Sequence, residues 1–395
     1  PNNVGVGIFD LRPILETFVT PDNEPSKWAG FKGITSNTNM FPIHLIDKYS
    51  LNDNSMRFFH IRFLVEYSLT DTGSVVTPAH EVDSNEYLMF NGVLQYDDVL
   101  TKSIFGDYGY ELANFELTDT DSQFLSNAPT TQYARLTDYG TLPFLNYEPL
   151  SSYTVDSIVI TYYKADGTSA GTGDTIDNLL GYGGSSSSGG ADTRLSYFGA
   201  FPGNLQNWSA NFAAAVDLAY YTVQAFKVAS PISKLYTINI ICPNERGYEG
   251  IRLTWLNQWG TWDYYTFNMK STRTMTTNRT SYTQLGGTWN ESTFKIAGYK
   301  GGKKNFRVNA TEKIKLNTDF VAEAEGLWFE ELINSTEVYI VNGFSADVYG
   351  TITNKYIEPV TVTTSSYIKK TIANDKLMQY TIEIEKSKMQ RTQSV

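Results

Sequence analysis

The chain has 395 residues, with 31 Lys and Arg against 42 Asp and Glu for a formal net charge of −11; 18% of residues are charged, and Phe, Trp and Tyr together make 14%. That profile excludes a disordered chain, which is charge-rich and aromatic-poor, and it excludes a nucleic-acid-binding surface covering the molecule. A single cysteine excludes an intrachain disulfide or a multi-cysteine zinc site.

Residues 1–50 carry turn chemistry (Pro21-Asp-Asn, Pro25, Asn37-Thr-Asn39) without a sustained period, and predict an extended arm of the kind that lies on a neighbouring subunit. The alternation from Arg57 to Tyr67, the run Glu86–Tyr96 with a turn at Asn91-Gly92, and Tyr153–Tyr163 predict strands of a β domain over 51–164. Between 165 and 196 the composition turns to Gly and Ser, which predicts an exposed loop or linker. A second β domain is expected over 197–304. It starts with a short helix at Trp208–Leu218 capped by Ser209, followed by a hairpin of 220–228 and 232–241. A second hairpin pairs Arg252–Asn257 with Asp263–Asn268 through Gln258-Trp-Gly-Thr-Trp262. An α+β domain over 305–395 closes the chain, with a strand at 305–316, helical spacing over Asp319–Ile333, strands at 356–364 and 377–385, and a tail from Lys386 that frays unless a partner holds it. The fold class is mainly β: two or three antiparallel, sandwich-like domains with one or two short helices and long loops.

Chemistry is sparse. The three histidines do not make a site: His60 sits in a strand, His44 has no acidic neighbour in sequence, and His80-Glu81 lacks the second ligand of a zinc helix because position 84 is Ser. Cys242 ends an apolar run and reads as a buried core thiol. Gly181-x-Gly183 and Gly298-Tyr-Lys-Gly-Gly-Lys303 lack the spacing of phosphate loops, so no nucleotide, metal or other cofactor is expected. Asp97-Asp98 and Asp119-x-Asp121 read as solvated loop acids, with a glycosidase carboxylate pair as the alternative. Trp255, Trp259, Trp262, Tyr264, Tyr265 and Phe267 form the densest aromatic cluster. They suit either a β core or subunit contact, or a sugar-stacking platform, for which Trp259 and Trp262 in the connection are the most exposed candidates. Lys300, Lys303, Lys304 and Arg307 form a local basic patch that suits acidic neighbouring subunits. No basic stretch precedes an apolar run at the start, and no apolar run reaches membrane-spanning length; the expectation is a cytoplasmic product that neither spans a membrane nor is secreted by a cleavable signal.

The spacing Arg252-x-x-Trp255-x-Asn257-x-x-Gly260-x-x-Asp263-Tyr264-x-x-Phe267 resembles a hairpin in virion structural proteins of tailed bacteriophages. The resemblance extends to Trp328–Ser335, Pro359-Val360 and Lys376–Glu385, over roughly 215–390. It implies a non-enzymatic subunit of a tail, baseplate or neck assembly, synthesised in the host cytoplasm and incorporated into the virion. The implied partners are copies of itself and other virion proteins. A receptor- or glycan-binding virion module is the alternative, and a glycan-degrading virion enzyme a third.

Overall fold

The computed structural model describes residues 9–20, 23, 27–29, 42–52, 54–64, 73, 81–85, 87–93, 115, 117–146, 155–178, 194–241, 247–288, 292–296, 298–322, 325–342, 357–366, 377–388 and 390–394. The fold is mainly β: of the described residues 47% are strand against 12% helix, in several antiparallel sheets. The chain divides into two compact units, one of residues 1–242 with 256–264 and the other of 243–255 with 265–395.

In the first unit, β1 (Lys27–Ala29), β2 (Tyr49–Asn52), β11 (Arg194–Gly199) and β8 (Thr141–Asn146) form one sheet in that order. β3 (Met56–Phe59) pairs with β6 (Tyr87–Phe90), and β4 (Arg62–Leu64) with β5 (Glu81–Asp83), as small ladders. The long strand expected over 57–67 is interrupted at an exposed His60, and the Ile61 N–H turns aside to the Ser84 hydroxyl at 2.8 Å. A second sheet runs β10 (Asp174–Asp177), β9 (Ser157–Tyr163), β12 (Tyr220–Lys227), β14 (Tyr236–Ile241), β7 (Thr131–Arg135), with β13 (Ser230–Pro231) on β12. Its ladders are antiparallel except β14 with β7, which is parallel. The alternation in β9 turns Ile158, Ile160 and Tyr162 into the core and leaves Tyr163 outside, where it stacks on Tyr220 directly opposite at 5.0 Å.

The exposed loop or linker expected over 165–196 is corrected where those residues are described: β10 and the start of β11 lie within it as strands of the first unit's sheets, and Ile176 is buried; 179–193 and Cys242 lie outside the described residues. Two short helices, α2 (Pro202–Trp208) and α3 (Ala210–Ala214), follow the four-residue α1 (Arg12–Leu15) in chain order. Ser209 caps α3 by accepting the Phe212 N–H at 2.8 Å, as the sequence predicts, but the helix stops at Ala214. The same Ser209 hydroxyl donates to Asp174, which also accepts from the Tyr162 hydroxyl and the Asn211 amide. Burial pushes the Tyr162 phenol well above its ordinary range.

The expectation of a free arm over 1–50 is corrected where those residues are described. Ile43, Leu45, Ile46 and Tyr49 are buried in the unit's own core, and β2 is a central strand. Buried Asn204 fixes the segment, donating to the carbonyls of His44 and Ile46 at 3.0 and 2.8 Å while accepting the Gly140 N–H. Side-chain amides therefore supply the backbone partners that a solvent-exposed arm would find in water.

The second unit is built on a sheet ordered β16 (Trp262–Phe267), β15 (Ile251–Leu256), β20 (Val338–Val341), β21 (Ile357–Val362), β23 (Thr381–Lys386), β18 (Gly302–Asn317), β17 (Thr272–Gln284), of which Leu256 and Trp262–Tyr264 are counted in the first unit. β24 (Gln390–Ser394) joins β18, so the described tail is a strand on its own chain, which corrects the expectation of fraying. β19 (Val321–Ala322) pairs with β22 (Leu377–Met378), and helix α4 (Glu325–Asn334) follows. The helix starts later than its periodicity suggests. Glu325 Oε2 accepts the Ala322 N–H at 2.7 Å, β19 precedes it, and Phe320 stays exposed.

Half-burial raises the Glu325 carboxyl above the ordinary range. A raised carboxyl favours the folded state at low pH, and the contribution is lost as pH rises through the folded pKa. Glu325→Gln keeps the acceptor without the charge. Its stability relative to wild type, measured by urea denaturation from pH 4 to 8, is expected to be most favourable at high pH and to converge as pH falls; a difference that grows toward low pH would contradict this.

Candidate functional site

The aromatic hairpin is a packing device. Every residue of β15 is buried, so both faces of the strand are covered, and strand alternation does not leave its rings outside. Trp255 packs on Trp328 of α4 with ring centres 5.0 Å apart, Tyr265 meets Phe329 edge-on at 4.8 Å, and the Tyr265 hydroxyl accepts the Asp319 N–H at 3.2 Å. Burial pushes the Tyr265 phenol above its ordinary range. The buried Arg252 guanidinium donates to the Thr266 hydroxyl at 2.9 Å.

The connection is just as enclosed. Trp259 and Trp262 are each 1% exposed, which corrects the expectation that these two are the exposed rings. Trp259 lies against Phe115 at 4.3 Å, and Trp262 meets the His44 ring edge-on at 5.0 Å. The turn is closed by Asn257, whose Oδ1 accepts the N–H groups of Trp259 and Thr261, both at 3.0 Å, and the Thr261 hydroxyl. Gly260 has φ +74°, and a Cβ there would stand 2.0 Å from the Asn91 carbonyl oxygen. Val93 N–H donates to the Gln258 carbonyl at 2.8 Å. Turn donors that would ordinarily face water are met by Asn257, and the Gln258 carbonyl is met by the Val93 N–H, so the indoles pack inside.

Tyr264 anchors the end of the hairpin. Its hydroxyl lies 2.7 Å from His44 Nδ1 and 2.9 Å from Thr141 Oγ1, while His44 Nε2 lies 3.0 Å from Asn23 Oδ1. With Nε2–H donating to Asn23, Nδ1 accepts from Tyr264, and the imidazole is a buried structural link rather than a general base. Asp263 accepts from the buried Ser126 hydroxyl at 2.6 Å. The residues whose spacing carries the virion-protein resemblance thus have packing or turn roles, and no sugar platform remains at Trp259 or Trp262.

Among the described residues the other candidates form no catalytic constellation. Asp119 and Asp121 are exposed, and Asp119 Oδ1 accepts the N–H groups of Asp121 and Ser122, as an Asx turn does. His80, Asp97 and Asp98 lie outside the described residues. Among the described residues no group of three or more His, Cys, Asp and Glu could hold a metal ion.

What stands out is the ribbon β17–β18. β17 has thirteen residues, of which twelve are exposed, and β18 has sixteen. They pair from Thr272 opposite Lys315 to Gln284 opposite Gly302, with a register shift at Thr280/Ser281. β23 covers β18 only over Lys313–Asn317, and β24 only over Arg307–Ala310. From Gly302 to Phe306, β18 has β17 as its only strand partner among the described residues. At about 3.3 Å per residue, thirteen residues reach roughly 40 Å.

Beyond the strands the chain stays paired, with a Gly287–Ile296 bridge and the Lys295 N–H donating to the Thr288 hydroxyl at 2.8 Å. The Phe294 ring lies over Gly287, where a Cβ would meet it at 2.3 Å. Leu285 (66% exposed), Phe294 (52%), Ile296 (79%) and Tyr299 (81%) are turned outward. Lys300, Lys303 and Arg307 are exposed and Lys304 half-buried, so the structure gathers the predicted basic patch onto this one element.

Ion pairs divide the ribbon in two. Near its base Arg273 pairs with Glu249 and Glu312, and Lys313 with Glu383 and Glu385. Farther out, Arg279, Lys295, Lys300, Lys303, Lys304 and Arg307 have no carboxylate partner among the described residues. Sequence reasoning missed β17 itself, because TRTMTTNRTSYTQ has no apolar alternation; its signal was a long run of Thr, favourable in strands, without Gly or Pro. Comparison with family models, with curated proteins and with solved structures found no match to the chain.

Proposed function

We propose that the chain is a non-enzymatic structural subunit of a bacteriophage particle, a tail, baseplate or neck adaptor that assembles through the β17–β18 ribbon. The observation that carries the assembly role is the ribbon. A two-stranded ribbon with almost no buried side chain on β17 gains little from its own packing, and its outer end displays four large apolar side chains. Both features suit an element covered by a neighbour. The phage context rests on the hairpin resemblance, and burial of Trp259 and Trp262 removes the rings on which a glycan-binding reading depended.

The ribbon can be shortened without touching either unit's core. Gln284 and Gly302 face each other, so replacing 285–301 by Asn-Gly closes the two strands with a two-residue turn. This variant is expected to keep the wild-type melting temperature, yet to be missing from purified particles when it is the only source of the chain, as read by mass spectrometry. Incorporation at the wild-type level would overturn the assembly role of the ribbon; absence of the wild-type chain from particles would overturn the virion reading.

A further inference from the structure

Charge is distributed unevenly between the ribbon and the rest of the chain. Residues 272–317 contain nine Lys and Arg against two Asp and Glu, a net +7 within a chain of −11. Residues 1–242 with 256–264, which make up the first unit, contain twelve against twenty-seven, a net −15. Asp119, Asp121, Asp156, Asp166 and Asp177 of that unit are exposed and, like the outer ribbon cations, make no ion pair among the described residues. A basic ribbon with unpaired cations and a unit of net negative charge with exposed, unpaired carboxylates are therefore present in one chain.

We infer that the ribbon of one copy docks on the acidic first unit of a second copy, apolar end inward, in a head-to-tail contact. This rests on the assembly reading and names its partner. Charge also decides the symmetry. The obvious alternative is two-fold pairing of the free edge of β17 with its own copy, and that would set +7 against +7 along a pair of strands. Placing +7 against −15 uses different patches on the two partners, and a heterologous contact closes into a ring or continues as a filament instead of stopping at a dimer. Nucleic acid is the other polyanion a basic ribbon can meet. A first unit at −15 repels it, and aliphatic Leu285 and Ile296 have no use for a phosphate backbone.

The test uses the full-length chain. Equal amounts of ¹⁴N- and ¹⁵N-labelled protein are mixed and treated with a zero-length carbodiimide, which joins Lys amines to carboxylates. Mixed-isotope links from Lys295, Lys300 or Lys303 to Asp and Glu of residues 1–242 are expected. Sedimentation at 50 mM salt should show species larger than a dimer that dissociate at 500 mM, because screening shortens the reach of exposed charges. Reversal of the three exposed lysines (Lys295→Glu, Lys300→Glu, Lys303→Glu) should leave the melting temperature unchanged and weaken self-association at least about tenfold. A monomer at all concentrations, a two-fold dimer, links only within one copy, or ribbon-dependent binding of a DNA duplex in place of self-association would each overturn the inference. If the wild-type chain is monomeric while the shortened ribbon still blocks incorporation into particles, the partner is wrong and the assembly role stands. If shortening also has no effect on incorporation, both fail.

Discussion

Trp262→Ala is expected to destabilise the first unit by about 3–5 kcal/mol, the range for truncating a fully buried indole. The ring is 1% exposed and packs edge-on against His44, which itself is held by Tyr264 and Asn23. Removing it leaves a cavity in a neighbourhood pinned by hydrogen bonds, where collapse is restricted and the cavity cost stays high. For a unit of this size the melting temperature should fall by roughly 10 °C, and the denaturant midpoint should drop at constant slope. An indole serving as an exposed sugar platform would instead change stability by no more than about 0.5 kcal/mol on truncation. Calorimetry on the purified variant therefore separates the packing role from a surface role without any ligand in hand.

Gly260→Ala should have an effect of similar size through the backbone. Two costs coincide there: φ of +74°, which costs a residue with a Cβ about 1–2 kcal/mol, and a Cβ placed 2.0 Å from the Asn91 carbonyl oxygen. Because that neighbour is backbone, relief requires the 91–93 segment to move. A total of about 3–5 kcal/mol is expected. Gly247→Ala is the internal control, with the same φ of +74° and nothing within 4 Å of its Cβ. It should cost about 1–2 kcal/mol. Equal losses in the two variants, measured by chemical denaturation, would mean that the close approach to Asn91 carries no weight.

Much of the strand content was legible because local pattern and final environment agree. Tyr153–Tyr163, 220–228 and 232–241 show alternation or β-branched runs, and β9, β12 and β14 lie within them, side by side in one sheet. Ser209 was readable as a cap because capping is a contact over three residues. What failed depends on partners far away in sequence. Nothing local to Gln258–Trp262 announces that Asn91, Val93 and Phe115 close over it, so a Trp-rich connection read as exposed. The segment from Pro42 to Ser50 read as an arm because its carbonyl partners come from Asn204, about 160 positions away. The ribbon's basic half was legible as Lys300, Lys303, Lys304 and Arg307. Its length was not, since a strand solvated on both faces carries no hydrophobic period.

The assignment of 256–264 to the first unit, although 243–255 belongs to the second, has a consequence during synthesis. A ribosome that has released residue 242 has not yet supplied Trp259, Trp262 or Tyr264, and His44 and Phe115 wait without their neighbours. At about 5–20 residues per second, the missing stretch to residue 264 adds roughly 1–4 s before the first unit can close. During that interval an apolar surface is open to solvent. A truncation after residue 242 would make the interval permanent, so a fragment of 1–242 should aggregate or bind chaperones, while extension to 264 supplies the indoles and phenol that the first unit lacks.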